Sequence, residues 1–170
     1  MQRCRAQARR VKMNSESPVE RINRLVEKIS STGKNFTVFQ ETSAHVLQVP
    51  AGDIKQICRK LKETEPLYFL HLSDITVVDY PEKQARFQLN YQLFSFKLNH
   101  QLQLKINISE NQAVYSLRDI WPGAEIMEEE ISELFGIEFL RNDEQQNCFL
   151  NCGSSVSPLR KDYPKGREQQ

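Results

Sequence analysis

Two consecutive segments in the middle of the chain alternate strictly between apolar and polar side chains, and this alternation constrains the fold more than any other feature. In residues 86–96 and 100–108 every second side chain is apolar over most of the segment. A period of two is typical of β-strands with one buried and one solvated face. The short connection at 98–100 predicts that the two strands pair antiparallel. The alternating apolar residues are Phe87, Leu89, Tyr91, Leu93, Leu102, Leu104, Ile106 and Ile108.

Further strands are predicted on both sides of this pair. Residues 68–80 form a third strand, joined to the second through the turn at 81–84, so the three strands make an antiparallel meander. Residues 36–40 and 44–49 predict two shorter strands with a tight turn between them.

Three helices are predicted from apolar spacing and end signals. Ser17-Pro18-Val19-Glu20 has the form of a capping box, and the helix it begins runs to Gly33. A second helix covers about 51–63, and a third covers 123–135 before Gly136, a natural left-handed cap. The predicted fold class is α+β, a mainly antiparallel sheet with helices packed on one face and an extended C-terminal arm.

The chain divides into a core and two tails. Residues 17–139 are predicted to be one α+β domain. Residues 1–16 begin with five basic residues and no acid among the first twelve, which predicts a basic disordered tail, a transit segment, or a mis-assigned start before Met13. Residues 140–170 hold too few apolar side chains to fold alone, which leaves a disordered tail or an arm that becomes ordered on a partner.

The bulk charge and hydropathy exclude several classes of function. A net charge of +1 provides no basic field for nucleic acid, and no run approaches the length of a membrane span. We expect no nucleic-acid partner, and contact with a membrane only through a larger complex.

The residues that build catalytic or metal centres are not arranged to do so. The four cysteines contain no C-x-x-C pair, the three histidines are isolated, and the chain has neither G-x-G-x-x-G nor G-x-x-x-x-G-K-[ST]. Cys58 lies on the apolar face of the second helix, where a buried structural thiol is expected. We expect no catalytic residue, no cofactor and no metal in this chain.

The third helix carries an excess of carboxylates beside an apolar stripe. The stripe is predicted to consist of Ile126, Met127, Ile131, Leu134 and Phe135, with most glutamates, Glu128 included, on the outer face or its margins. Glu130 lies four residues from both Ile126 and Leu134, so it projects onto or beside the stripe. It is either solvated at the edge or paired with an arginine, such as Arg160 or one from a neighbouring protein.

Three segments together resemble a known family. They are WPGA at 121–124, the glutamate-rich helix that ends in ELFGI at 133–137, and PLRKDYP at 158–164. Over about residues 88–164 the chain resembles the 30 kDa subunit family of the proton-pumping NADH:quinone oxidoreductase, respiratory complex I. It departs from the family pattern at Glu129, Asn142, Gln146 and Ser157.

The resemblance implies a cofactor-free docking component of complex I, bound to the quinone-site subunit and to neighbouring subunits of the peripheral arm. It also implies that FMN and iron–sulfur clusters reside in partner subunits, and that the complex lies at the cytoplasmic face of the inner (cell) membrane. The alternative parent is an energy-converting hydrogenase or formate hydrogenlyase, whose large subunit would then be the partner. The expected partner-binding residues are Trp121, Glu128, Glu130, Glu133, Leu134, Phe135, Pro158, Leu159, Arg160, Lys161, Asp162 and Tyr163.

Overall fold

The computed structural model describes residues 37–41, 44–65, 67–141 and 157–164, together with Glu20 and Arg24, which are helical. These two belong to the first predicted helix, and the remainder of that helix lies outside the described residues. The basic segment 1–16 and residues 142–156 also lie outside them.

Five strands form one mixed sheet in the order β1-β2-β5-β4-β3. The predicted meander is confirmed, with β4 hydrogen-bonded antiparallel between β3 and β5. The short hairpin of β1 and β2 is confirmed as well. The strands are β1 Thr37–Glu41, β2 Ala44–Gln48, β3 His71–Asp79, β4 Phe87–Ser95 and β5 His100–Ile108.

The hairpin joins the meander through a parallel pairing, which the sequence did not predict. β2 runs parallel to β5, with Leu47 opposite Leu104. Parallel neighbours require a long crossover, and here it includes a helix and two further strands. Such a connection leaves no local signal in the sequence.

Both described helices cover the same face of the sheet. A single 3-10 turn, Ala51–Asp53, leads into α1, Ile54–Glu63, and α2 spans Ala124–Phe135. Tyr91, on the buried face of β4, lies close enough to Cys58 of α1 and Glu128 of α2 that both raise the pKa of its hydroxyl, although burial is the larger cause. The predicted α+β class with helices on one face is confirmed.

A second, two-stranded sheet was not predicted. β6, Val114–Tyr115, pairs parallel with β7, Phe139–Leu140. Leu140 therefore belongs to the folded unit, one residue beyond the predicted end of the domain.

The core lies between the helices and the sheet. It includes the alternating apolar residues of β4 and β5 and the inner face of α1. Cys58 is fully buried there, as predicted, and burial raises the pKa of its thiol. No helix in the described ranges is long and apolar enough to span a membrane.

Candidate functional site

The glutamate-rich helix α2 buries a different stripe from the one predicted. Its buried residues are Ala124, Glu128 and Ile131, spaced four and three apart along one helical face. Ile126 is 74% exposed, so its predicted place in the apolar stripe is wrong. At about 100° per residue, position 126 lies roughly opposite position 124.

Glu128 is the buried carboxylate of α2, not Glu130. One oxygen accepts a hydrogen bond from the backbone N–H of Leu117 at 2.7 Å, and the other accepts one from the Ser116 hydroxyl at 2.5 Å. Burial raises the pKa of Glu128 against these two bonds. The prediction that Glu128 lies on the outer face is wrong, because the side chain joins α2 to the segment that follows β6.

Glu130 points to solvent, on the same exposed surface as Glu133. This outcome matches the solvated-edge alternative for Glu130. Arg160, the predicted partner, lies elsewhere and forms its ion pair with Glu110.

Residues 157–164, which we call the hook, fold as two consecutive turns against the domain. The N–H of Arg160 donates to the carbonyl of Ser157 at 3.2 Å, and the N–H of Tyr163 donates to the carbonyl of Arg160 at 3.1 Å. The predicted extended geometry is therefore wrong for this segment. Ser157 followed by Pro158 is a favoured start for a β-turn, and that preference accounts for the first turn.

The hook caps the C-terminal end of α2. The N–H of Leu159 donates to the carbonyl of Leu134 at 3.1 Å, and Nε of Arg160 donates to the carbonyl of Phe135 at 2.6 Å. The last carbonyls of a helix have no partner within it, and a cation is favourable at that end. The hook supplies both a donor and a positive charge where α2 needs them.

Gly136 makes this close approach possible. It has φ +68°, the left-handed conformation predicted for the cap. A Cβ at this position would lie 2.5 Å from Oγ of Ser157 and 2.9 Å from a guanidinium nitrogen of Arg160. Glycine is therefore required both by the backbone conformation and by the packed hook.

A charge cluster of Asp79, Arg86, Glu110, Arg160 and Asp162 holds the other side of the hook. Arg86 is only 7% exposed and makes paired hydrogen bonds to Asp79, at 2.9 and 3.1 Å. It makes two more to Asp162 of the hook, at 2.6 and 2.9 Å. Paired guanidinium–carboxylate bonds combine charge with fixed geometry.

Two further contacts complete the charge cluster. Oδ2 of Asp79 accepts the backbone N–H of Lys161 at 2.8 Å. Glu110 accepts hydrogen bonds from Arg160 at 2.7 Å and from Arg86 at 3.1 Å. The hydrogen bonds from Arg86 are the largest cause holding the pKa of both Asp79 and Asp162 below the usual value.

Asp79, Arg86 and Glu110 were missed by the sequence analysis. A signal existed for Asp79, because Ile75, Val77 and Asp79 alternate on one face of β3, which places a carboxylate on the inner face of the sheet. Such a carboxylate needs a cation. No local pattern indicates that the cation is Arg86 or that Asp162 shares it.

The predicted partner-binding residues therefore fall into two groups. Trp121 and Glu128 are each 4% exposed, so they support the domain from inside and their predicted exposure to a partner is a correction. The others lie at or near the junction of α2 and the hook. Of these, Leu134, Phe135 and Arg160 are half-buried, and the exposed ones are Glu130, Glu133, Pro158, Leu159, Lys161, Asp162 and Tyr163.

Within the described residues, no group of three or more His, Cys, Asp or Glu side chains is arranged to hold a metal ion. What the described part of the chain offers at this site is a surface: an acidic helix end with a docked, partly apolar hook.

Comparison with known proteins gives a consistent result. The model of the family described as "Respiratory-chain NADH dehydrogenase, 30 Kd subunit" matches residues 47–169. A relative from Rhodopseudomonas palustris (strain TIE-1), a subunit of NADH-quinone oxidoreductase, is 35% identical over 118 residues, which cover 69% of this chain and 58% of the relative. The relative of the same name from Rickettsia prowazekii (strain Madrid E) is 30% identical over 144 residues, covering 84% and 73%.

A solved structure shares the fold. One chain in the structure of the membrane-bound sulfane sulfur reductase, an archaeal respiratory membrane complex, matches with a TM-score of 0.65 at 24% identity. The match covers 86% of this chain and 87% of that one. The likeness to the Rhodopseudomonas relative spans less than two thirds of that protein.

Proposed function

Because the chain belongs to the family of the 30 kDa subunit of respiratory-chain NADH dehydrogenase, we propose that it is a docking subunit of an NADH:quinone oxidoreductase. In this proposal it carries no active site and no cofactor. It braces the quinone-site subunit, while FMN and iron–sulfur clusters in partner subunits transfer electrons from NADH to quinone. Proton translocation is an activity of the assembled complex.

One observation carries the proposal: the hook lies on the C-terminal end of α2. The two segments on which the family resemblance depends are more than twenty residues apart in the sequence, yet Leu159 and Arg160 hydrogen-bond to the carbonyls of Leu134 and Phe135. They form one continuous surface. A partner that recognises both motifs needs to contact only one place on the domain.

The exposed groups on this surface suit a protein partner. Leu159 is 52% exposed and Tyr163 is 38% exposed, and the carboxylates of Glu130 and Glu133 lie on the neighbouring helix face. Apolar and aromatic anchors rimmed by polar groups are typical of interfaces. The hook is already folded on its own domain, so docking loses less chain entropy than it would with a free tail.

The proposed location follows from the proposed complex. The protein would be peripheral, at the cytoplasmic face of the inner (cell) membrane, and attached only through its partners in the complex. Its contact with the quinone-site subunit would be made by the exposed side of the hook.

Co-purification tests the docking surface. In cells that express the whole complex, Leu159→Ser with Tyr163→Ser should reduce recovery of the quinone-site subunit with this chain by about tenfold, because both anchors would be lost while the charge cluster remains. The matched control is Leu70→Ser with Phe96→Ser. These residues are 56% and 69% exposed and lie away from the hook. Equal losses in the two double variants, or no loss in the first, would contradict the proposed surface.

The electron donor tests the parent complex. Membranes from cells that lack this chain should lose NADH-driven quinone reduction, and the wild-type chain should restore it. Loss of hydrogen- or formate-driven electron transfer with intact NADH oxidation would assign the chain to the alternative, a hydrogenase-type complex.

A further inference from the structure

A groove of about 450 Å³ lies along the outer face of α1. Lys55, Gln56, Arg59, Lys60 and Glu63 line it from the helix, and Tyr115 of β6 completes the lining. Gly52 lies at one end, where a Cβ would meet no atom within 4 Å, so that end of the groove is open. The surface is concave and has more cations than carboxylates.

Two of the lysines on α1 are already used within the chain. Nζ of Lys55 lies 2.6 Å from a carboxylate oxygen of Asp119. Nζ of Lys62 donates to the carbonyl of Ile120. Both contacts fasten α1 to the segment that precedes α2, which is a structural role.

Arg59 and Lys60 differ from these lysines. Neither forms a hydrogen bond or an ion pair with any residue in the described ranges. Arg59 acts on Asp119 only through its charge, as a smaller cause of the lowered pKa than Lys55. Both cations remain available to a ligand inside a concave surface, where neighbouring charges reinforce each other's potential.

Tyr115 provides the apolar part of the same site. It is 40% exposed, although the residue before it, Val114, is buried. A tyrosine ring offers a large contact area at low cost in side-chain entropy. The groove therefore combines two cations that have no partner among the described residues with one aromatic surface.

We propose that this groove binds an acidic peptide segment of a partner protein. Carboxylates of the segment contact Arg59 and Lys60, and an apolar side chain packs on Tyr115. A surface that binds membranes would project apolar side chains beside its cations. Here Tyr115 is the large exposed apolar residue among the lining residues, and the recessed shape suits an extended chain. This inference does not rest on the proposed function, since it concerns the isolated chain.

Fluorescence anisotropy with a short labelled peptide tests the inference on the full chain. The probe has four glutamates around a central phenylalanine, and the reference peptide has glutamine in place of each glutamate. The acidic probe should bind at low ionic strength and lose affinity as salt is added, because screening weakens charge pairs near the surface. The glutamine peptide should bind at least roughly tenfold more weakly.

A pair of matched variants localises the binding. Arg59→Gln with Lys60→Gln should weaken binding of the acidic peptide by roughly tenfold or more. The melting temperature should not change, since neither side chain has a polar partner among the described residues. The control, Lys83→Gln with Lys97→Gln, removes the same charge from exposed sites elsewhere and should leave the affinity within about twofold.

Three results would overturn the proposal. One is equal weakening in both double variants, which would mean that only net charge matters. Another is no binding of the acidic peptide even at low salt. The third is binding to phosphatidylglycerol vesicles that depends on Arg59 and Lys60 while the acidic peptide does not bind, which would assign the groove to lipid headgroups.

Discussion

The two helices cover the same face of the sheet, but the charges around them are used differently. Around α2, the carboxylates and cations that are buried or half-buried have partners in the chain: Glu128 binds Ser116 and Leu117, and the hook is held by Arg86 and Arg160. Around α1, Arg59 and Lys60 line a groove without a partner in the described part of the chain.

The difference separates structural charges from charges available for binding. A buried ion costs several kcal/mol unless it is paired, so the paired groups near α2 are required by the fold. An exposed cation costs little to leave unpaired, so the fold does not explain Arg59 and Lys60. The predictions below test this separation, starting with the largest expected effect.

Replacing Arg86 should have the largest effect. Arg86→Gln would leave the 4% exposed carboxylate of Asp79 without its cation and remove the two bonds to Asp162. We expect a loss of about 3–5 kcal/mol in the free energy of unfolding, measured by urea denaturation. Lys97→Gln breaks an exposed ion pair with Glu65 and should cost at most about 1 kcal/mol. A similarly small loss for Arg86→Gln would show that the charge cluster does not stabilise the domain.

The two carboxylates Glu128 and Glu130 provide the second test. Glu128→Ala would leave the buried N–H of Leu117 without its acceptor and should cost about 2–3 kcal/mol. Glu130→Ala, two residues along the same helix, should change stability by no more than about 0.5 kcal/mol. Thermal unfolding of the two variants side by side measures the difference, and equal effects would refute the assignment of Glu128 as the structural carboxylate.

Two glycines near the ends of α2 should respond in opposite directions to alanine. Gly136→Ala places a Cβ at φ +68° and 2.5 Å from Oγ of Ser157, so we expect a loss of about 1–2 kcal/mol. Trypsin should then cleave faster after Arg160 or Lys161, because the hook would be loosened.

Gly123 is the matched control for this substitution. It has φ −64° and open space around it, so Gly123→Ala should be neutral or stabilise by up to about 1 kcal/mol. Slow cleavage of the Gly136→Ala chain would mean that the hook does not depend on this approach.

Acid should release the hook, an effect that is absent at neutral pH. The pKa values of Asp79 and Asp162 are held below their ordinary value of 3.8, chiefly by hydrogen bonds from Arg86. Their contribution to stability is therefore complete above pH 3.8 and is lost as the pH falls through the lowered pKa values. Cleavage by pepsin across this range should increase in the hook, and the increase should begin at higher pH in Arg86→Gln. Identical profiles for the two chains would contradict the role of Arg86.

The sequence alone determined the elements whose signals are local. Alternation in residues 86–108 predicted β4 and β5, helical spacing predicted α1 and α2, and Gly136 predicted the end of α2, because each pattern reflects the geometry of a single element. The family was recognisable for the same reason, since its motifs are short and contiguous.

Only the tertiary structure decided the relations between distant segments. The parallel pairing of β2 with β5, the burial of Glu128 instead of Glu130, and the fastening of the hook by Arg86 each join residues that are far apart or on neighbouring elements. A buried charge selects its partner by proximity in the folded chain, and that proximity is not encoded in any local pattern. For this reason the hook was predicted as an extended arm, although it is folded against its own domain.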